Sequence, residues 1–464
     1  MSTPTRAGRR SGGRANRRRV LIMGAAGMDY HVFNVCFRDN PAYEVVGFTM
    51  AREQNLGTVG GLRTYPPSLA GKLYPRGIPT FPEEETAVLV KQLGVDEVVF
   101  AYSDVSHQHV MNLASAVLAA GASWRLFSPR LTQLQSSKPV IAVCAVRTGC
   151  GKSQTSRRVY DIIRSKGIGV VAVREPMPYG ELEKQVCQRF ASYDDLDQAE
   201  ATIEEREEYE PYIENGMVIF AGVDYTKVLR RAEAEAEVIV FDGGNNEISF
   251  FRPDLLITVT DPLRAGAETA YHPGEVNLRL ADVVVINKED SANPEQISSV
   301  KETVRRLNPT ALVIDADSPL EVADPNVIRG KRVLVVEDGP TVTHGDMPYG
   351  AGRIAAERFG AAAIVDPRPY ATGSLARELE NNPHLDRVLP AMGYSKEQLA
   401  ELRSAINQAE CDIVVSGTPI DLARLMRTNK PIVRVKYSLL EKSRPDLDEI
   451  VTGLLEKKGL VKRN

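Results

Sequence analysis

A glycine-rich segment, Arg147-Thr148-Gly149-Cys150-Gly151-Lys152-Ser153, combines the residue types that bind a nucleoside triphosphate. Backbone N–H groups of such a loop can point at phosphate oxygens. Lys152 would reach the outer phosphates and the Ser153 hydroxyl would hold Mg²⁺. The predicted nucleotide-binding residues here are Thr148, Gly149, Cys150, Gly151, Lys152, Ser153 and Gln154.

The loop departs from the commonest phosphate-binding pattern. A GxxxxGK[ST] loop needs glycine where this chain has Val146, so the variant KGGxGK[ST] fits better. Arg147 stands at the basic position of that variant and is a predicted catalytic residue with Lys152. The alternative is a glycine-rich strand–helix turn that contains GKS by chance.

A second motif, VIVFDGGNNE, places Asp242 directly after four apolar residues. An acidic residue at the end of such a strand is typical of the Mg²⁺ site in phosphate-loop enzymes, so Ser153 and Asp242 are the predicted metal ligands. Gly243 would let the backbone approach a γ-phosphate. A simple Asp-Gly turn is the alternative.

Two further strand ends carry polar residues. Arg174 and Glu175 follow the predicted strand 168–173, where they would lie near the phosphates unless the segment is a plain turn. Asn287, Lys288 and Asp290 form an NKxD sequence after a buried strand, a pattern that predicts guanine binding.

Candidate substrate groups lie farther from the loop. Residues 52–79 are rich in Gly and Pro and include Arg63 and Lys72, which could hold an anionic substrate or belong to an arm packed across an interface. Thr343 and His344 lie in the segment 337–352, which suits a phosphorylated substrate or its metal unless it is a structural turn. His272 is interpreted as structural, with an acid/base role as the alternative.

The elements that would position these residues alternate between strand and helix. A buried strand over 140–146 precedes the loop, and Val159, Ile162 and Ile163 form the apolar stripe of the following helix. The pattern predicts an α/β protein with an N-terminal Rossmann-like parallel sheet and a larger doubly wound sheet of the P-loop NTPase type. The predicted regions are a disordered Arg-rich tail (1–19), the Rossmann-like domain (20–136), the P-loop domain (137–330) and a C-terminal αβ region packed on it (331–464).

Composition narrows the classes of partner. Of 464 residues, 43% are hydrophobic and 25% charged, and the formal net charge of −4 favours neither nucleic acid nor a membrane surface. Five scattered cysteines, with no CxxC pair, predict a cytoplasmic protein without a zinc site. The acidic segment 194–214 is predicted to be a solvated helical face without chemistry.

Four stretches together resemble a known family: RTGCGKSQTSR, REPMPYG, DGGNNE and VEDGPTVTHGDMPYGAG. They are similar to cyclic 2,3-diphosphoglycerate synthetase and its bacterial relatives labelled predicted GTPases, over residues 20–460. The resemblance implies an ATP-dependent ligase that closes a phosphoanhydride on a small phosphorylated metabolite, with Mg²⁺ and a homodimer.

The residues themselves suit phosphoryl transfer, which needs charge neutralisation more than a covalent group. The predicted catalytic residues are Lys152, Arg147, Asp242, Glu175 and His344. The predicted substrate-binding residues are Arg63, Lys72, Arg157, Arg174, Thr343 and His344. A regulatory or metal-delivery GTPase, using GTP in place of ATP, is the alternative enzyme class, and a non-catalytic nucleotide sensor is a third possibility.

Overall fold

The computed structural model describes residues 17–51, 63–175, 180–343, 347–391 and 396–462. Within these ranges the chain forms three larger, mostly parallel sheets with helices packed on them, which confirms the predicted α/β fold. None of the helices in the described ranges is long and apolar enough to span a bilayer.

The first sheet is N-terminal and has the strand order β3-β4-β2-β1-β5-β7. Its strands, with the short β6, are β1 (Arg18–Met23), β2 (Tyr43–Met50), β3 (Thr64–Tyr65), β4 (Ile78–Pro82), β5 (Glu97–Phe100), β6 (Val105–Ser106) and β7 (Ser123–Arg125). The accompanying helices are α1 (Met28–Cys36), α2 (Pro67–Ala70), α3 (Thr86–Gln92), α4 (His107–Ala120) and α5 (Pro129–Thr132). Tyr65 and Tyr74, from the Gly/Pro-rich segment, are buried in its aromatic core.

The central sheet runs in the order β10-β11-β9-β12-β8-β13-β15-β16 and is parallel from β11 to β16. Its strands, with β14 paired to β6, are β8 (Val140–Ala145), β9 (Val170–Arg174), β10 (Gln188–Phe190), β11 (Ile219–Ala221), β12 (Val238–Asp242), β13 (Leu255–Thr260), β14 (Tyr271–His272), β15 (Val283–Ile286) and β16 (Leu312–Asp317). The helices are α6 (Lys152–Ser165), α7 (Tyr193–Gln198), α8 (Ile203–Glu214), α9 (Tyr225–Glu235), α10 (Gly274–Leu280) and α11 (Pro294–Leu307).

The third sheet has the order β17-β22-β21-β18-β19, with β20 also paired to β18. The remaining strands are β17 (Leu320–Val322), β18 (Arg332–Glu337), β19 (Ala363–Ile364), β20 (Val388–Pro390), β21 (Ile413–Ser416), β22 (Ile432–Tyr437) and β23 (Leu440–Glu441). The remaining helices are α12 (Gly339–Val342), α13 (Ala351–Arg358), α14 (Gly373–Asn381), α15 (Lys396–Gln408), α16 (Leu422–Leu425) and α17 (Leu447–Lys457).

The last described elements return to the central sheet. Strand β23 pairs antiparallel with β16, and helix α17 packs on α6. Leu447, Val451 and Leu455 are fully buried in the same core as the apolar stripe of α6. Strand β17 pairs with β22 in the third sheet. It lies before residue 330, where the P-loop domain was predicted to end, so the third sheet begins earlier in the chain than that boundary.

Candidate active site

One cavity of about 610 Å³ opens at the carboxyl edge of the central sheet, where parallel α/β sheets bind ligands. Its walls come from the phosphate loop, from α8 and from the third sheet. The residues that line it include Thr148, Lys152, Ser153, Arg157, Arg174, Glu207, Glu208, Lys288, Asp338, Glu357 and Arg358.

The phosphate loop has the predicted strand–loop–helix context. Gly149 and Gly151 adopt φ values of +82° and +107°, in the left-handed region that favours glycine. Lys152 is the first residue of α6, is only 6% exposed and lines the cavity beside Ser153 and Gln154. The helix N-terminus therefore faces the cavity with an ammonium group next to it.

Neighbouring backbone and side chains fix the shape of this loop. The Asn287 Nδ2 donates to the Cys150 carbonyl at 2.9 Å, and the Lys288 Nζ donates to the Gly149 carbonyl at 2.6 Å and to Asp261 Oδ2 at 2.9 Å. The Gly243 amide donates to the Val143 carbonyl at 3.1 Å, which holds the end of β12 against β8. Two residues of the NKxD sequence thus brace the loop.

Asp290, the third residue of that sequence, is engaged away from the loop. Its Oδ1 accepts the Ser318 amide at 3.0 Å, and its Oδ2 lies 4.0 Å from the Arg358 guanidinium. Gln154 also contacts Ser318, through a 3.3 Å hydrogen bond. The predicted guanine-reading carboxylate therefore already has a backbone partner.

Asp242 is fully buried and accepts three hydrogen bonds. The Ser156 hydroxyl donates to Oδ1 at 2.8 Å, while Arg174 Nη1 and the Tyr212 hydroxyl donate to Oδ2 at 2.7 and 2.9 Å. The same Arg174 guanidinium donates to Ser153 Oγ at 3.3 Å and pairs with Glu208. Ser153 and Asp242, the predicted metal ligands, are therefore brought to one point, where a guanidinium lies between them.

The charges at this point depend on one another. Burial works against the charge of Arg174, but Glu208 and Asp242 outweigh burial and raise the pKa of Arg174 above its ordinary value. Burial raises the pKa of Glu208, and Arg174 opposes that rise. Ser153, Asp242 and Glu208 form an all-oxygen donor set around a cation, which is the chemistry that Mg²⁺ requires.

The prediction of a solvated acidic helix without chemistry is wrong for α8. Glu204, Glu205, Glu207 and Glu210 are buried, and Glu207 and Glu208 line the cavity. The helix lies between two cores, since Ile203 packs with the third sheet while Tyr209, Tyr212 and Ile213 pack with the central sheet. A helix with apolar residues on more than one face is typically buried on all sides. This feature of the α8 sequence could have predicted its burial.

Arg147 does not line the cavity. It is buried, its Nε donates to Asp104 Oδ1 at 3.2 Å, and its guanidinium lies 3.7 Å from the centroid of the Tyr271 ring. The amide of Thr148 donates to the other oxygen of Asp104 at 3.4 Å. Arg147 therefore connects the phosphate loop to the segment after β5, outside the lining of the cavity, and its catalytic role stays a prediction.

Glu175 also lies outside the described cavity. Its carboxyl group lies beside Gly27 and Gly244 and against Glu247. Burial and the repulsion from Glu247 raise the pKa of Glu175 well above its ordinary value. Burial raises the pKa of the nearby Asp29 to about 7. The structure thus puts Glu175 in a closed cluster of carboxyl groups.

The predicted substrate residues are dispersed. Arg157 and Arg174 line the cavity, whereas Arg63 and Lys72 belong to the first-sheet region and do not. The Thr343 hydroxyl donates to the Gly339 carbonyl within its own turn at 2.9 Å. His344 lies outside the described residues. Burial lowers the pKa of His272 to about 4, which suits the structural interpretation of this residue.

The parallel sheet, the phosphate loop and the helix that starts at Lys152 define a P-loop-type nucleotide-binding α/β protein. No protein-family model matches the chain. The chain is 59% identical over 435 residues to a Thermococcus kodakarensis protein named arginine synthetase ArcE, covering 94% of this chain and 96% of that protein. The chain therefore belongs to the ArcE arginine synthetase family, and is a synthetase with a P-loop fold.

The expected membership of the cyclic 2,3-diphosphoglycerate synthetase family is wrong. That enzyme from Pyrococcus furiosus is 24% identical over 189 residues, which span 40% of this chain and 38% of that protein. Among solved structures, LpxK from Aquifex aeolicus in complex with ATP aligns with 14% identity and a TM-score of 0.40, over 69% of this chain and 90% of that one. Likeness at that level carries no argument about function.

Proposed function

We propose that this protein is an ATP- and Mg²⁺-dependent synthetase whose product is arginine. The observation that carries the proposal is the 59% identity to arginine synthetase ArcE over 94% of the chain. The cavity supports it, because a phosphate loop and a second, acidic wall face the same space.

Arginine can be made from citrulline, the ureido amino acid that has oxygen in place of one terminal nitrogen. Replacing that oxygen by ammonia is unfavourable in water unless the oxygen leaves as phosphate. Transfer of the γ-phosphoryl group of ATP to the ureido oxygen, followed by attack of ammonia on the ureido carbon, gives arginine, ADP and phosphate. The ureido oxygen leaves with the phosphate, and the reaction requires a phosphate-binding site next to a site for the amino acid.

The chain supplies the groups that such a transfer needs. The loop amides and Lys152 bind and orient the phosphates, and their positive charge offsets the charge that develops during transfer. Ser153, Asp242 and Glu208 would hold Mg²⁺, which when bound neutralises phosphate oxygens. Arg174 keeps these acidic side chains in position until the metal and nucleotide arrive.

The test is direct synthesis. Purified protein is incubated with citrulline, ammonium, ATP and Mg²⁺, and arginine and phosphate are quantified together. We expect one phosphate for each arginine, no product with ornithine in place of citrulline, and ATP formation from arginine, ADP and phosphate in the reverse direction. Phosphate release without arginine in any combination would contradict the proposal.

A further inference from the structure

The active-site cavity adjoins a second, smaller cavity of about 270 Å³. The residues that line both cavities are Gln154 and Arg157 from α6, Pro419 after β21, and Tyr437 at the end of β22. The phosphate loop with Lys152 lines the active-site cavity as well. A ligand in that cavity can therefore contact the phosphate loop at one end and the boundary between the two cavities at the other.

Arg157 and Tyr437 bring to this boundary two polar groups that the protein leaves unpaired. Within the described ranges, the Arg157 guanidinium forms no hydrogen bond or ion pair, and the Tyr437 hydroxyl forms no hydrogen bond. Both residues are half-buried. By contrast, Arg174 and Lys288 in the same cavity are each paired with a carboxylate of the protein. Arg157 is therefore a cation of the cavity that is available to an anionic ligand.

We propose that Arg157 and Tyr437 bind the α-carboxylate of the amino acid, which is citrulline in synthesis and arginine in the reverse direction. The inference rests on the proposed function. It deepens that function by assigning the subsite that recognises the amino-acid end of the substrate, opposite the end that reacts.

The first argument is the chemistry of the two groups. A guanidinium presents its N–H donors in a planar fork that matches the two oxygens of a carboxylate. Burial raises the pKa of Tyr437 above its ordinary value, and the nearby charge of Arg157 opposes that rise. The phenol therefore keeps its proton and can donate a further hydrogen bond. A guanidinium and a phenolic O–H that both lack partners are suited to a ligand that only accepts hydrogen bonds.

The second argument is distance. Arg157 follows Lys152 in α6, and the helix rise of 1.5 Å per residue separates their backbones by about 7.5 Å along the axis. In extended citrulline, the carboxylate carbon and the ureido carbon are also about 7.5 Å apart, from bond lengths of about 1.5 Å. An amino acid that lies along α6 can therefore contact Arg157 while its ureido oxygen is beside the phosphate that Lys152 binds.

The third argument comes from the loop end of the same cavity. Thr148 is 7% exposed, and its Oγ1 has no hydrogen-bond partner within the described ranges. Buried polar groups in native proteins are normally paired, so this hydroxyl indicates a polar ligand group beside the loop. Together with Arg157 and Tyr437, it indicates a ligand that is polar at both ends, as citrulline is.

Binding of two matched ligands tests the subsite without turnover. L-arginine and L-argininamide, which has an amide in place of the carboxylate, are each titrated calorimetrically into protein saturated with ADP and Mg²⁺. The variants are Arg157→Ala and Tyr437→Phe. The matched control is Arg158→Ala, because Arg158 lines only the second cavity and is paired with Glu441. Affinity for ADP and thermal unfolding are measured for every variant.

We expect wild type to bind arginine at least about tenfold more tightly than argininamide, because a charge-assisted hydrogen bond to the carboxylate is lost with the amide. Arg157→Ala should bind the two ligands equally, since the group that distinguishes them is gone. Tyr437→Phe should keep part of the preference for arginine and Arg158→Ala all of it. Affinity for ADP should be unchanged in all three variants.

Two results would overturn the subsite. One is a wild-type protein without a preference for arginine, or an Arg157→Ala variant that retains the preference in full. The other is weaker ADP binding by Arg157→Ala with the preference unchanged, which would assign Arg157 to the nucleotide phosphates. A wild type that makes arginine without showing the preference would contradict the subsite and leave the proposed product. A wild type that shows the preference but makes no arginine would contradict the product and leave the subsite.

Discussion

Arg174 Nη1 donates to Asp242 Oδ2 at 2.7 Å, so the residue predicted to hold magnesium is paired with a guanidinium. Both side chains are buried. The pair lies directly beside Ser153 and Glu208, and the cation of the protein therefore takes the place that the sequence assigned to a metal.

Removing this guanidinium should expose the metal site. Without Mg²⁺, Arg174→Ala should unfold at a lower temperature than wild type, because losing one partner of a buried ion pair costs about 3–5 kcal/mol. Millimolar Mg²⁺ should raise the unfolding temperature of the variant and leave that of wild type nearly unchanged. Arg189→Ala, which breaks the exposed pair with Glu235, is the control. The same change of unfolding temperature with Mg²⁺ in all three proteins would contradict a metal site at this position.

The ammonium of Lys152 should be needed for turnover and dispensable for folding. Lys152→Ala is expected to lower the proposed arginine synthesis by about 100-fold or more, as loss of a single charge-stabilising group does in other sites. Its unfolding temperature should stay near that of wild type. Lys166→Ala, at the other end of the same helix and paired with Asp448, should keep full activity. Wild-type rates in Lys152→Ala would place the chemistry elsewhere.

Arg147 should act on stability through Asp104. Removing either side chain breaks a buried ion pair, at a cost of about 3–5 kcal/mol, whereas the exposed Arg164–Asp161 pair should contribute about 0.2–1 kcal/mol. A double-mutant cycle on Arg147→Ala and Asp104→Ala, followed by chemical unfolding, measures the coupling. A coupling no larger than that of the exposed pair would contradict this stabilising role of Arg147.

His31 should make folding less favourable in mild acid. Burial lowers its pKa to about 4, its Nε2 contacts the Thr132 carbonyl at 2.8 Å, and its ring stacks on Phe250. The unfolded chain binds this proton near pH 6.5, so stability from His31 is present above that pH. That stability is lost progressively as the pH falls to about 4, by roughly 3 kcal/mol in total.

The measurement for His31 is the unfolding temperature at pH 7 and pH 5. The difference between the two unfolding temperatures should shrink in His31→Gln and stay unchanged in the control His107→Gln, which replaces a partly exposed histidine. Burial raises the pKa of Glu337 to about 7, so protonation of this residue stabilises the folded protein as the pH falls. This effect is opposite to that of His31 and is common to all the variants, so the comparison between variants isolates the contribution of His31. An unaltered difference in His31→Gln would show that this histidine is charged in the folded protein.

Local sequence was sufficient for the parts of the fold that follow local rules. The buried strand predicted over 140–146 is β8 (Val140–Ala145), because consecutive apolar and β-branched residues are typical of a buried parallel strand. The stripe of Val159, Ile162 and Ile163 predicted the buried face of α6. Since parallel strands end at one edge, Lys152, Arg174 and Asp242 were also expected to lie close together.

Contacts between residues that are far apart in the sequence could not be predicted from local patterns. Burial of Glu207 depends on Thr418 in the third sheet, and the position of Arg147 depends on Asp104 before the loop. No local sequence pattern predicts that Thr418 or Asp104 is the partner. The family expectation was wrong for a related reason, since phosphate-loop motifs report how a nucleotide is bound and not which metabolite receives the phosphate.

The return of α17 to α6 has a consequence for how the protein is made. The phosphate loop opens a helix whose apolar side is covered by Leu447, Val451 and Leu455. A nascent chain emerges from the ribosome in sequence order. The apolar surface of the nucleotide-binding region that α17 covers therefore stays exposed while the entire third sheet is translated. Until residues 447–457 appear, this intermediate is a natural client for chaperones.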